Sequence, residues 1–309
     1  MRLTHKAALL LTAGITVLAA SGCTTASVDE AAASGQAAAP AAAKTAVAVN
    51  DQARALLPAA VRDKGTLVIG SDPTYPPFEY FDTDNKTMIG WDVDMGDALA
   101  QSLGLKAEHV AATFDTILPG LTSKKYDLGM SAFSITDERK KAVDFAAYLS
   151  GGSGIAVAPG NPEKLSMKAQ TLCGKKVAAQ KGSSQSLDVL PALSKECTDA
   201  GKPAIDAQLF PTQTDANLAL TSGRVDGVMA DSISLAYQGA LADKRFELAA
   251  GEDYQPDPTG VALPKDSELL PAVEAAIKAI VGSPAYGQIN AKWSIPASAT
   301  ITPDQVASK

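Results

Sequence analysis

A chain of 309 residues with a hydrophobic content of 46% is long enough for about two domains and a large core. Its formal net charge is -7, and no cluster of Lys and Arg supplies the basic stripe that phosphate contacts need. Nucleic acid is therefore excluded as a partner.

The chain opens with an export signal. Arg2, His5 and Lys6 precede an apolar run from Ala7 to Ala20 and then Ser21, Gly22 and Cys23. That run is too short, and too closely followed by small residues, to be a spanning helix, so residues 1–22 read as a signal peptide. Ala20-Ser21-Gly22-Cys23 resembles a bacterial lipobox, in which Cys23 carries a palmitate-bearing lipid and becomes the mature N-terminus. Ala20 stands where Leu is commonest, and ordinary cleavage with an unmodified Cys23 is the alternative. No other segment is apolar enough to cross a bilayer, so attachment to the outer face of the cell membrane is by lipid alone. Residues 23–55 read as a tether: the stretch is rich in Ala, with Ser, Gly and Thr, and has no apolar period.

A short helix is expected over Gln52 to Val61, then a β-branched buried strand over Thr66 to Gly70. Its carboxyl end leads into Ser71 to Glu79, where prolines forbid a regular element and hold Asp72, Tyr75 and Phe78 in fixed directions. Two short strands, Glu79 to Phe81 and Thr87 to Ile89, flank a turn. Gly90 to Leu103 is a helix with Val93, Leu99 and Leu103 inward, and Gly104 stops it. A strand over His109 to Ala112 leads through Phe114 to a helix over Thr116 to Ser123. Leu128 to Met130 ends a further strand, and Ser131 and Ser134 are placed in the loop beyond it. Thr136 sits where an N-cap would, with Asp137 and Glu138 in the first turn. Arg139 opposes the helix dipole there unless its fork of donors serves an anion; a surface pair with Glu138 or Asp137 is the alternative.

Alternating strand, loop and helix indicate an α/β fold with a mostly parallel sheet covered on both faces. Gly151-Gly152-Ser153-Gly154 breaks this pattern, and a second series follows. It has a strand over Lys175 to Gln180, a loop at Gly182 to Gln185 opening a helix, a strand over Asp226 to Ala230 ending at Asp231, and a helix over Ser232 to Leu241. Beyond Tyr254 to Thr259 come a strand (Gly260 to Leu263) and helices over Ser267 to Val281 and Ala285 to Trp293. The two breaks divide the chain into a discontinuous lobe 1 (56–151 and 257–309) and an inserted lobe 2 (152–256), with a hinge where the chain crosses twice. Cys173 and Cys197 lie in the exported part, where an oxidising compartment favours a disulfide worth about 3 kcal/mol; two reduced core cysteines are the alternative.

In open α/β sheets ligands sit beyond the carboxyl ends of strands. Four such ends carry polar groups: Asp72 with Tyr75, Ser131 with Ser134 and Arg139, Ser183 with Ser184, and Asp231. Together they suit a zwitterion. Arg139 and the helix start at Ser183, Ser184 and Gln185 would take an α-carboxylate, and Asp231 an α-ammonium. Tyr75 and Phe114 would cover the apolar part of the side chain, and Asp72 would accept from its tip; Phe114 as plain core is the alternative. No Ser-His-Asp arrangement, metal-ligand spacing or phosphate loop is visible, so no catalytic residue, metal or cofactor is expected.

The stretches GSDPTYPPFEY, GWDVDMGDALAQSLG, FDTILPGL, YDLGMSAFSITDERKKAVDF, QKGSSQ, SGRVDGVMAD and TGVAL, in this order from about Lys64 to Trp293, resemble bacterial extracellular solute-binding proteins of family 3, the polar amino-acid type. The resemblance implies a two-lobed periplasmic-binding-protein-like fold of type II, its lobes joined by a two-strand hinge. It also implies a monomeric receptor that hands a polar or basic amino acid to the permease and ATPase of an ABC importer. By the same likeness Arg139, Ser134 and Ser184 meet the carboxylate, Asp231 and Ser131 the ammonium, and Asp72, Tyr75 and Phe114 the side chain. Ala132 departs from the pattern where several relatives carry a second Ser, and Trp91 where Phe or Tyr is usual. The rival reading is an enzyme, since a few proteins of this likeness are dehydratases of cyclic amino-acid precursors. Asp72 or Glu79 would then be the acid-base group.

Overall fold

The structure, a computed structural model, describes residues 45–306. The expected signal peptide, Cys23 and the tether up to residue 44 lie outside the described residues. Residues 45–50 already lie against the body, where the Val47 N–H donates to Gln101 Oε1 (3.3 Å) and the Asn50 N–H to the Ser102 carbonyl (2.7 Å). Asn50 then caps α1 (Asp51–Ala55), and Pro58 separates it from α2 (Ala59–Lys64). The single helix expected over 52–61 is thus two, and chain docked on the body begins within the stretch read as tether.

β1 (Thr66–Ser71) is followed by a small antiparallel ribbon of β2 (Thr74–Tyr75), β3 (Glu79–Phe81) and β4 (Met88–Ile89). A two-residue strand therefore sits in the proline loop, where no regular element was expected. α3 (Trp91–Ser102), β5 (Lys106–Ala111), α4 (Phe114–Thr122), β6 (Leu128–Ser134), α5 (Asp137–Lys140) and β7 (Val143–Val157) complete the first series. The second holds α6 (Ala169–Leu172), β8 (Lys176–Gln180) and a π-helical turn (Gln185–Val189) that runs into α7 (Leu190–Asp199). It continues with β9 (Asp206–Phe210), α8 (Gln213–Thr221), β10 (Gly227–Asp231), α9 (Ser232–Leu241) and β11 (Glu247–Leu248). β12 (Tyr254–Pro264), α10 (Leu270–Val281) and α11 (Pro284–Lys292) then return to the first series.

The strand order is β5-β1-β6-β12-β7-β10-β8-β9, with β11 beside β7. β5-β1-β6 and β9-β8-β10 are parallel triplets, whereas β12 and β7 between them run antiparallel to their neighbours. The expected parallel sheet is thus two parallel sets joined by two long antiparallel strands. The Gly151 to Gly154 break is interior to β7, where Gly151 pairs with Asp257 and Ser153 with Asp231. Glycine lacks side-chain packing but keeps its ladder hydrogen bonds, so the strand survives. One triplet packs on α3, α10 and α11 through Leu67, Ile69, Trp91, Leu99, Ile277 and Trp293. The other packs on α6 and α7 through Val177, Leu190, Leu193 and Met229, and the disulfide Cys173–Cys197 (2.12 Å) pins those two helices together. Between the triplets, the carboxyl ends of β1, β6, β8 and β10 bring Asp72, Ser134, Gln180 and Asp231 to one place.

Candidate ligand-binding site

A cavity with about 300 Å³ of space not filled by atoms lies among these strand ends, with Arg139, Ser134 and Ser184 on its wall. Ser131 and Ser134 were expected in a loop, yet both lie on β6, because β12 extends the ladder to Thr259 opposite Ser134. Thr136 is the N-cap of α5, accepting the Arg139 N–H at 3.3 Å, as its residue type predicts. That helix has only four residues, so a macrodipole argument for Arg139 carries little weight. Its surroundings carry more. The guanidinium donates to the Ser134 carbonyl (2.8 Å) and the Gly182 carbonyl (3.0 Å), and lies over the rings of Phe114 and Phe133. Asp137 and Glu138 pair with Lys140 and Lys141 instead, and no carboxylate among the described residues is within ion-pair range of Arg139. Burial lowers its pKa to about 10, with Asp231 and Asp188 acting against that.

Asp231, the last residue of β10, supplies the opposite charge. Tyr75 donates its hydroxyl hydrogen to Asp231 Oδ2 and accepts the Asp231 N–H, both at 2.9 Å, and Gln185 Nε2 reaches Oδ1 at 3.4 Å. Burial raises this carboxyl to about 6, against the lowering by Tyr75, Arg139 and Gln185. A buried cation and a half-buried carboxylate thus face one cavity without forming a direct ion pair.

Tyr75, Phe114, Ser131, Ser183 and Gln185 also line the cavity, and Phe114 stacks on Phe133 at 4.8 Å, so it serves as core and wall together. The Ser183 hydroxyl is committed to the turn, accepting the Ser186 N–H at 3.1 Å, whereas the Ser184 hydroxyl meets that of Ser134 at 3.1 Å across the gap. Asp72 is set behind the wall, where Oδ2 accepts from the Phe114 N–H (3.1 Å) and Gln180 Nε2 (2.7 Å). Burial raises its pKa, opposed by Thr74, Gln180 and Phe114. Gln180 and Gln213 line the cavity as well and were missed in the sequence. Gln180 ends a strand just as Asp231 does, and applying the strand-end rule to β8 would have found it.

Two parallel strand sets joined by two antiparallel crossings, with a charged cavity between their carboxyl ends, define a two-lobed solute-binding protein. Residues 67–296 match the family of bacterial extracellular solute-binding proteins, family 3, and the chain belongs to it. It is similar to the arginine-binding protein ArgT of Corynebacterium glutamicum, with 31% identity over 78% of each chain. Among solved structures, it is similar to an ancestral arginine-binding protein bound to arginine, with 34% identity over 74% of this chain and 98% of that one and a TM-score of 0.66. It is also similar to AncCDT-1, an ancestral amino acid-binding protein and precursor of cyclohexadienyl dehydratase, with 32% identity, a TM-score of 0.64, and 76% and 97% of the two chains covered.

Proposed function

We propose that this protein captures a free polar or basic amino acid and delivers it to the permease and ATPase subunits of an ABC importer. The observation that carries the reading is Arg139, a buried cation with no counter-ion among the described residues, sharing a cavity with the half-buried carboxylate of Asp231. Held apart in one cavity, these charges match the two ends of an α-amino acid. The α-carboxylate fits against Arg139, Ser134 and Ser184, and the α-ammonium against Asp231 and Ser131. The side chain would extend past Tyr75 and Phe114 toward Asp72 and Gln180, a polar end that favours a cationic or amide-bearing tip.

In this reading the lobes are 56–151 with 257–309 and 152–256, and they close on the ligand because only the shut form lets both touch it. Bonds from Tyr75 to Asp231, from Gln180 to Asp72 and from Ser234 to the Pro76 carbonyl support such a shut form. Lipid on Cys23 would hold a monomeric receptor at the outer face of the membrane, and the intact mass of the mature protein tests this. A receptor is favoured over an enzyme because Asp72 and Glu79, the carboxylates considered for acid-base chemistry, are both buried and hydrogen-bonded within the protein. The test is a thermal-shift screen of the mature protein against all common amino acids, with native mass spectrometry for co-purified ligand. A rise in Tm for one or a few polar or basic amino acids is expected; no shift with any would reject the reading.

A further inference from the structure

Behind the cavity wall lie two carboxyl groups to which no ligand role has been given. Glu79, on β3, is 0% exposed, and Asp92, in the first turn of α3, is 1% exposed. Ser131 donates its hydroxyl hydrogen to Glu79 Oε1 at 2.5 Å, and the Ala132 N–H donates to Asp92 Oδ2 at 2.7 Å. The two remaining oxygens, Glu79 Oε2 and Asp92 Oδ1, make no hydrogen bond of ordinary geometry, although the two side chains lie within hydrogen-bonding reach of each other. Carboxylate oxygens cannot donate, and two buried carboxylates in contact repel, but one proton between those oxygens satisfies both. The neighbours relieve the charge only in part. Facing the pair are Asp72 and Tyr75, Tyr148 from β7, whose buried hydroxyl lies within hydrogen-bonding reach of Asp92, and His109 from β5, which is paired with Asp97 at 3.3 Å. None of these is a cation in contact with both oxygens.

We propose that Glu79 and Asp92 share one proton and act as a positioning pair that fixes Ser131 as a hydrogen-bond acceptor toward the ligand's ammonium group. The hydroxyl of Ser131 has one hydrogen, which Glu79 takes, and two lone pairs, one of which accepts the Asp72 N–H at 3.1 Å. The other lone pair is left for the cavity, which Ser131 lines. A hydroxyl so held accepts from an ammonium and cannot turn to donate to a carboxylate. Asp92 fixes the neighbouring residue through the Ala132 N–H, where φ is +48° and the backbone would otherwise relax. Burial raises both carboxyls, Glu79 well above its ordinary value and Asp92 to about 6, in the direction that retaining one proton requires.

The proposal rests on the amino-acid reading of the site, and one of its tests does not. Infrared spectra of the protein alone at pH 7 should show a protonated carboxyl band that disappears in Glu79→Gln, whose amide supplies the shared hydrogen permanently. Absence of that band in the parent protein overturns the proposal whatever the ligand. Calorimetry then uses L-arginine and 5-guanidinopentanoate, the same molecule without its α-amino group. Glu79→Gln should bind L-arginine within about threefold of the parent, and Glu79→Met, which offers Ser131 no acceptor, about tenfold or more weaker. Neither substitution should alter 5-guanidinopentanoate binding by more than about threefold. Equal loss in the Gln and Met variants, or equal loss for both ligands, contradicts the role given to Ser131. Failure of L-arginine to bind the parent counts against the amino-acid reading, and the infrared result still decides the shared proton. If Glu79→Met does not fold, the Gln variant and the spectra decide the matter.

Discussion

Arg139 is costly to the protein that carries it. A buried charge without a partner is penalised by several kcal/mol, and its two carbonyl acceptors and two aromatic faces offset only part of that. In the proposed reading a ligand carboxylate supplies the rest, so Arg139→Ala is expected to weaken amino-acid binding by about 2 to 5 kcal/mol in calorimetry while leaving the fold intact. Asp231 gives a pH signature of opposite sense. The ammonium group and a proton compete for one carboxylate whose pKa is raised to about 6, so affinity should fall as pH drops through that value, by up to about tenfold per pH unit. Asp231→Asn should bind weakly throughout and lose this dependence; a parent protein with flat affinity from pH 7 to 5 would contradict the assignment. Asp72, set behind the cavity and bridged by Gln180, should act on selectivity. Asp72→Ala is expected to change the ranking of amino acids in a binding screen more than it changes Tm, and uniform loss with a lowered Tm would argue for a structural role instead.

At the scale of elements, the start of α3 shows how tightly the fold holds the site. Gly90 has φ +141°, and a Cβ there would lie 2.1 Å from the Phe78 carbonyl oxygen, so Gly90→Ala must displace either α3 or the loop that carries Tyr75. Denaturant unfolding should show a loss of about 2 kcal/mol or more, with binding weakened as well. Most elements were legible because their signals are local: Thr136 as a cap, the β-branched run of β1, and the helix α9 over Ser232–Leu241. The errors came where pairing partners distant in sequence decide the structure. Ser131, Ala132 and Ser134 break the alternation of β6, and the positive φ of Ala132 resets its phase, yet β12 keeps the segment in the ladder. The glycines of β7 likewise read as a loop until β10 and β12 are known to flank them. Gln180 reads as the end of a strand, and its bond to Asp72, 108 residues away in sequence, ties it to the cavity to which the strand-end rule points.

The whole molecule works as a receptor only if its two halves contribute unlike charges to one small space. Arg139 follows β6 in the first series and Asp231 ends β10 in the second, and the crossings of β7 and β12 set how these halves approach. The same arrangement explains why the family likeness carries the class of ligand more firmly than its identity. In the proposed reading the charges would grip what all α-amino acids share, whereas Asp72, Gln180 and the aromatic wall would meet what differs among them. The most direct measurement is a calorimetric titration of the amino acid found by screening against its decarboxylated amine, which keeps the ammonium group and the side chain. Loss of the carboxylate should cost about thirtyfold or more in affinity, because it leaves Arg139 buried without an anion. Equal affinity for the two would mean that Arg139 does not hold the carboxylate, and the account of the site would be wrong.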